Sequence, residues 1–331
     1  MKYIKLLIII LFSFLITGCV SYSELNEIGI IDMIIIDKID DNYILTINML
    51  LPTKDDLENK KIYSETSSSL NECLNKLHLS TTKKISFSHL ELMILTPNLE
   101  NKDYDEIINL LLNRPDSRNT FSTVITDNPN KVLEYKSQDI NDLININNEE
   151  EGTVAIKQFN DIIKDILEMN LSYIPRVKLE DELTIEGYQS IYYENKLLSK
   201  EESIGYNFLT NKITGALFTV DNIGFKTTNS KTNIKVNDNK IKIEINNTYK
   251  ILSNNNNTTN NNKIEKLYNS KIKKYINTYL DNNPYSYFYN LIEKYDYYYY
   301  KENNNISLEF DIKINSSKID NSNIKGGKFN E

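Results

Sequence analysis

Residues 28–51 open with Ile28-Gly29-Ile30-Ile31-Asp32-Met33-Ile34-Ile35-Ile36 and break at Asp37-Lys38-Ile39-Asp40-Asp41-Asn42. They resume with Tyr43-Ile44-Leu45-Thr46-Ile47-Asn48-Met49-Leu50-Leu51. Two apolar runs, rich in β-branched residues and separated by a short polar turn, predict a hairpin of buried strands.

Working outward, Ser64 to Leu79 carries Leu70, Leu74 and Leu77 at helical spacing behind a Ser/Thr-rich start suited to capping. Ile85 to Leu95 reads as a strand. Asp103 can cap a helix burying Tyr104, Ile107, Ile108 and Leu111. Thr120 to Thr126 is strand again, and Asn128-Pro129 opens a short helix through Tyr135. The polar, acidic stretch from Ser137 to Thr153 predicts a linker or long loop. A helix follows with Phe159, Ile162, Ile163, Ile166 and Leu167 on one face. Short strands are expected at Leu183 to Ile185, Tyr188 to Glu194, and around Thr214 to Thr219.

The last third has a pattern of its own. Lys231 to Val236 and Lys240 to Leu252 flank Asn237-Asp238-Asn239, a second hairpin signal. Ser253 to Asn262 is nearly pure Asn and Thr, a loop composition that cannot bury a core. Then Ile264, Leu267, Tyr268, Ile272, Ile276 and Tyr279 recur at i, i+3/i+4 spacing, an amphipathic helix that Asn283-Pro284 ends. A short helix near Tyr287 to Glu293 leads to Ile306, Leu308, Phe310, Ile312 and Ile314, which alternate with polar residues. That is a strand buried on one face, expected to pair antiparallel. The tail from Asn315 is polar and expected to be disordered. Strands and helices mix without strict alternation, so the fold class is α+β with largely antiparallel sheets.

The first residues carry an address. Lys2 and Lys5 precede an apolar run from Leu6 to Ile16, and Leu15-Ile16-Thr17-Gly18-Cys19 resembles a bacterial lipobox. A membrane-spanning helix needs roughly 20 apolar residues, and this run is about half that. Residues 1–18 are therefore expected to be a lipoprotein signal peptide, with a diacylglycerol on Cys19. Cleavage removes two lysines and no acid, taking the formal charge from −8 to −10. An acidic chain gains little from an anionic leaflet, so the lipid must hold it. One acyl chain at about 0.8 kcal/mol per buried CH₂ is marginal, and two anchor stably. Cys73 is then the last free thiol, which excludes an internal disulfide.

The 331 residues include 9 Gly, 6 Pro and no Trp, and Asn, Ile, Lys and Tyr are abundant. The skew reads as AT-rich codon usage, so the Asn tracts require no functional account. His78 and His89 are the only histidines; Cys73 and His78 could share a helix face, but two ligands make a poor metal site. No nucleophile elbow, phosphate-binding Gly loop or EF-hand pattern is present. The acidic runs Asp55-Asp56 and Glu149 to Glu151 read as solvated faces, and Tyr295 to Tyr300 as a Tyr-rich surface or core edge. A charge of −10 argues against nucleic acid as partner. Nothing in the pattern points to an enzyme, and no cofactor is expected beyond the diacylglycerol.

After the lipobox come Glu24-Leu25-Asn26-Glu27-Ile28-Gly29-Ile30-Ile31 and then Ile34-Ile35-Ile36-Asp37-Lys38. This opening resembles the spore germination Ger(x)C lipoproteins, the C subunits of germinant receptors. Three further blocks are similar and stand in the family's order. Phe87-Ser88-His89 to Leu95 resembles the Phe-x-His strand. Arg114 and Arg118 sit where the family has an Arg-rich turn. Ile185-Glu186-Gly187-Tyr188 to Leu198, with Glu201-Glu202 and Ile213-Thr214-Gly215, resembles the strand, acidic-pair and Gly block. One departure is Val20-Ser21, where the family places Trp-Asp after the Cys.

The resemblance implies three consecutive mixed α/β domains, here 19–136, 137–205 and 206–315, with a tail over 316–331. It marks Glu24, Leu25, Asp37, His89, Arg114, Arg118 and Gly187 as motif or partner-contact positions. It also implies a non-catalytic subunit on the outer face of the spore inner membrane, beside polytopic A and B subunits and answering nutrients. The competing expectation is a solute-binding lipoprotein of a nutrient transporter, which requires two similar β/α lobes around a cleft.

Overall fold

A computed structural model describes residues 28–50, 60–169, 171–192, 195–237, 240–255, 260–283 and 309–319. The expected signal peptide, Cys19, Glu24 and Leu25, the expected short helix near 287–293, the Tyr295 to Tyr300 cluster and the end of the expected tail lie outside the described residues.

The hairpin forms as expected: β1 (Ile28–Ile39) and β2 (Asn42–Leu50) pair antiparallel around Asp40-Asp41. β3 (Lys60–Ser67) adds antiparallel to β2. Two helices follow their strands around one sheet: α1 (Leu70–Ser80), β4 (Lys84–Ser86), β5 (Leu92–Leu95), α2 (Asn101–Leu112) and β6 (Ser122–Ile125). After α3 (Pro129–Val132), α4 (Ser137–Glu150) and α5 (Phe159–Met169) come β7 (Leu171–Leu179) and β8 (Leu183–Tyr192). The strand order is β3-β2-β1-β5-β6-β7-β8, with β4 also on β1. The inner pairings β1–β5, β5–β6 and β6–β7 are parallel, whereas antiparallel hairpins close both ends.

Both faces of this sheet are covered, which is why β1 is apolar almost throughout rather than at alternate positions. Ile31, Ile34 and Ile36 pack with α1, α2 and α5, while Met33 and Ile35 pack with Ile140 and Ile144 of α4. A bulge at Asp32 makes Ile31 and Ile34 share a face although they are three apart.

The second sheet, β12-β11-β10-β9, has four strands. β9 (Ala216–Val220), β10 (Ile223–Asn237) and β11 (Lys240–Asn254) form a meander, and β12 (Glu309–Lys318) lies on β11. β11 alternates buried Ile241, Ile243, Ile245 and Tyr249 with exposed residues, so one face alone is covered. Its cover is α7 (Asn261–Asn282), which also packs on α6 (Lys200–Leu209). The result is an α+β fold in which most of the paired strand length is antiparallel.

Several expectations change. Residues 60–67 are strand, and the helix read from Ser64 starts at Leu70 behind Ser69, whose side chain accepts from Glu72 N at 3.2 Å. The strand read over 85–95 is two short strands about a turn at Ser88-His89. Residues 137–150 are a helix rather than a loop, because Ile140 and Ile144, four apart, find the β1 and β5 face of the sheet. β7 was not foreseen. The sheet also passes through residue 136 without interruption, so β7 and β8 of the expected middle segment complete the sheet that β1 begins. Leu167 stands 80% exposed instead of buried. β12 runs parallel to β11, as a long crossover that includes α7, and not a hairpin, joins them. It extends to Lys318, past the expected start of the tail. The two sheets differ in strand number and connection and do not form a pair of similar lobes.

Candidate functional site: the motif residues and the Phe87–Arg114 cleft

The expected motif positions fall at three places in the fold. The first is the far end of β1. Asp37 Oδ1 accepts from its neighbour Lys38 N at 2.7 Å and from Thr96 Oγ1 at 2.6 Å, which ties β1 to the end of β5. Lys38 points to the opposite face. Its Nζ donates to Asp103 Oδ1 at 2.7 Å, and Tyr43 OH donates to the same oxygen at 2.6 Å. Asp103 Oδ2 accepts from Glu100 N at 2.7 Å, so the side chain also closes the first turn of α2. Asp103 is fully buried and Lys38 nearly so. Burial opposes ionisation of Asp103 most strongly, but Lys38 and Tyr43 outweigh it and hold the carboxyl below its usual range. The bond to Asp103 in turn raises the pKa of Lys38. The Ile-Asp-Lys ending thus fastens two helix–strand layers.

The second place is the other end of the same sheet. Arg114 lies with its guanidinium 4.1 Å from the Phe87 ring centroid, a cation–π contact. It donates from Nε to Asp116 Oδ1 at 3.0 Å and from Nη2 to Oδ2 at 3.1 Å. Asp116 Oδ2 also accepts from Phe87 N at 2.9 Å. The Phe-x-His block and the Arg turn, distant in sequence, are therefore one unit joined through Asp116. Arg114 and Asp116 of this unit line a cleft of about 450 Å³, with Ile28, His78, Lys84 and Ile85 among its other walls. Partial burial, and then the charge of Arg114, hold the pKa of His78 below its ordinary value, with Asp116 opposing. His89 is exposed in the turn after Phe87, and Arg118 is exposed on the loop before β6. Cys73 is wholly buried under Tyr43 O, whereas His78 lies at the rim, so the two do not form a pair.

Gly187 marks the third place. It follows Glu186, the extra residue of a bulge in β8, and has a φ of 152°. A Cβ there would stand 2.4 Å from Leu198 O and 2.9 Å from Ser203 Oγ. Only glycine fits both the backbone angle and the approach of α6. The acidic pair that follows has two separate jobs. Glu202 caps α6 by accepting from Ser199 N at 2.8 Å and from Asn283 Nδ2 at 3.1 Å. Glu201 receives Lys271 and Lys274 of α7 at 3.1 and 3.2 Å.

The residues that sequence reasoning missed are Lys38, Tyr43, Asp103 as a buried ion, and Asp116. Asp116 lies two residues from Arg114, a spacing that could have suggested the pair. Among the described residues, no group of three or more His, Cys, Asp or Glu side chains is placed to hold a metal ion.

The fold and these sites define a two-sheet α+β protein in which Asp37, Arg114 and Gly187 serve architecture. Residues 21–179 match the family model described as the spore germination protein N-terminal domain, and the segment covers β1 to β7 with all but one of the described motif positions. That segment, 159 of the 331 residues, is similar to the N-terminal domain of spore germination proteins. A crystal structure of the GerBC protein is similar in fold, with a TM-score of 0.53 at 18% identity, covering 87% of this chain and 97% of that one. No curated protein sequence matches the chain.

Proposed function

We propose that this protein is the lipid-anchored C subunit of a nutrient germinant receptor. It is held by a diacylglycerol on Cys19 at the outer face of the spore inner membrane, beside polytopic A and B subunits. The observation that carries the reading is the family match over residues 21–179. The geometry agrees with a non-catalytic role. Asp37, Lys38, Arg114 and Gly187 are occupied in holding strands and helices together, which suits a rigid subunit presented to membrane partners. Tethering supplies the effective concentration for assembly.

The test is a deletion strain complemented with wild type, Cys19→Ala, or a fusion to an unrelated transmembrane anchor. Loss of the protein is expected to abolish the response of one receptor to its nutrient, while non-nutrient triggers still germinate the spores. The unrelated anchor is expected to rescue and Cys19→Ala to fail. Unchanged nutrient responses in a deletion strain without paralogues would overturn the receptor reading.

A further inference from the structure

We propose that Lys212 is a covalent modification site: its side-chain amine, held between two tyrosine rings without a counter-ion, captures small aldehydes as an imine. The inference is independent of the receptor reading.

The backbone is fixed first. Lys212 follows the end of α6 in the connection between the first sheet and the second. Asn211 has a φ of 60°, and Lys212 N donates to Asn207 O at 2.9 Å, a Schellman ending of the helix. The Asn211 side chain ties this turn to β10, donating to Thr232 O at 3.1 Å and accepting from Thr232 N at 2.6 Å. Ile213, the next residue, is buried. Lys212 is therefore anchored on both sides.

Its side chain enters an aromatic corner. Nζ stands 5.2 Å from the Tyr206 ring centroid and 5.9 Å from that of Tyr188. Both rings are held in place. Tyr188 OH donates to Asn207 Oδ1 at 3.0 Å and accepts from Ala155 N at 2.8 Å. Tyr206 packs on Tyr173 with centroids 4.5 Å apart.

The charged groups facing Lys212 are Lys157, just before α5, and Asp161 and Asp165 on α5. Asp165 is engaged elsewhere, since it accepts from Lys157 Nζ and, at 3.0 Å, from Ser172 Oγ. Among the described residues, Lys212 Nζ has no ion-pair or hydrogen-bond partner. Burial opposes its charge most strongly and the Lys157 ammonium adds to that, with Asp165 and Asp161 on the other side. The amine is pushed down to about 8. The ring faces favour an ammonium, but they do not replace its hydration. Other lysines go the opposite way: Lys38 is raised by Asp103 and Lys178 by Glu180. Lys212 is only partly buried, so a small reagent reaches it.

An uncharged lysine amine is a nucleophile towards carbonyl carbon. Nζ adds to the aldehyde carbon, its proton passes to the oxygen, and the carbinolamine expels water to leave the imine. No oxidant or reductant takes part. At pH 8 about half of such an amine is uncharged, against about 0.4% of an ordinary lysine. The lower nucleophilicity of a weaker base takes back part of that advantage.

The experiment uses the full chain. Lysines are labelled briefly with formaldehyde, each imine being trapped by cyanoborohydride. The protein is then unfolded, labelled to completion with heavy formaldehyde, and the ratio at each lysine is read by mass spectrometry. At pH 7.5 Lys212 is expected to react about tenfold faster than the median lysine. Its rate should level off above about pH 8, while ordinary lysines continue to gain up to about pH 10. Lys157→Gln releases Asp165 to pair with Lys212 and is expected to move that plateau to higher pH. Labelling of Lys212 at or below the median in folded protein overturns the proposal. So does a rate that climbs in parallel with the other lysines, which would show access without altered basicity. A plateau that Lys157→Gln leaves in place overturns the assigned environment; if that variant does not fold, the wild-type profile decides alone.

Discussion

The two sheets bury their polar groups in different ways. The first is covered on both faces and has a charged pair, Lys38–Asp103, sealed between β1 and α2. The second is covered on one face, and its interior is aromatic. Tyr268 of α7 stacks on Tyr249 with centroids 4.3 Å apart, packs against Phe218 and Phe225, and satisfies its hydroxyl on Thr227 Oγ1 at 2.8 Å. A tyrosine carries apolar area and a polar tip on one stiff side chain, so it needs a single partner. A buried lysine needs a counter-ion held in place by further bonds, and removal of that ion leaves a desolvated charge. The first sheet should therefore be rigid and intolerant of substitution, and the second more forgiving. The family match lies almost entirely on the first.

The largest effect expected is Ile35→Asp. Ile35 is 2% exposed between β1 and α4 with apolar neighbours, and an unpaired carboxylate there should cost about 4 kcal/mol or more. Chemical denaturation checks it; a variant melting within a degree or two of the parent would show the strand to be uncovered.

Asp103→Ala comes next. It strands the Lys38 ammonium and should cost about 3–5 kcal/mol. Titration gives an independent reading. The carboxyl of Asp103 is lowered on folding, so its contribution is present above the ordinary value of 3.8 and lost as pH falls through the lowered one. Lys38 is raised, so its contribution is full below 10.5 and lost as pH climbs through the raised value. Stability against pH should fall at both ends in wild type. The Asp103→Ala profile should be flatter at both; identical limbs would remove the pair from its place in the comparison.

Gly187→Ala should cost about 1–3 kcal/mol, from backbone strain and the contact with Leu198 O. Hydrogen exchange should show loosening first in β8 and α6. If the loss spread evenly over β1 to β6 instead, the bulge would be part of the rigid unit rather than its border. The smallest effect belongs to the surface. Glu201→Gln loosens Lys271 and Lys274 on α7 and should cost less than about 1 kcal/mol, with half-exposed groups in high dielectric. A loss above 2 kcal/mol would make the joint between α6 and α7 as demanding as the first sheet.

Much of the local structure was legible in advance. The β1–β2 hairpin, α5, α7 and the β10–β11 hairpin follow from apolar spacing and turn residues, which act over a few positions and need no knowledge of neighbours. Gly187 and the Glu201-Glu202 pair could be singled out as a block, but not explained. The helix at 137–150 was hidden, because its two burying isoleucines lie in a run of Asn, Asp and Glu that alone would stay solvated. Only the β1 and β5 face makes helix the better state.

Other features belong to the tertiary structure altogether. Asp103 could be placed at a helix start, but its bond to a lysine 65 residues away depends on the packing of α2 against β1. The parallel pairing of β12 depends on which end of β11 the crossover reaches, and alternation of side chains is the same in either direction. Periodicity within one segment determines which face is apolar. The partner that face meets is set by contacts between segments that no local pattern encodes.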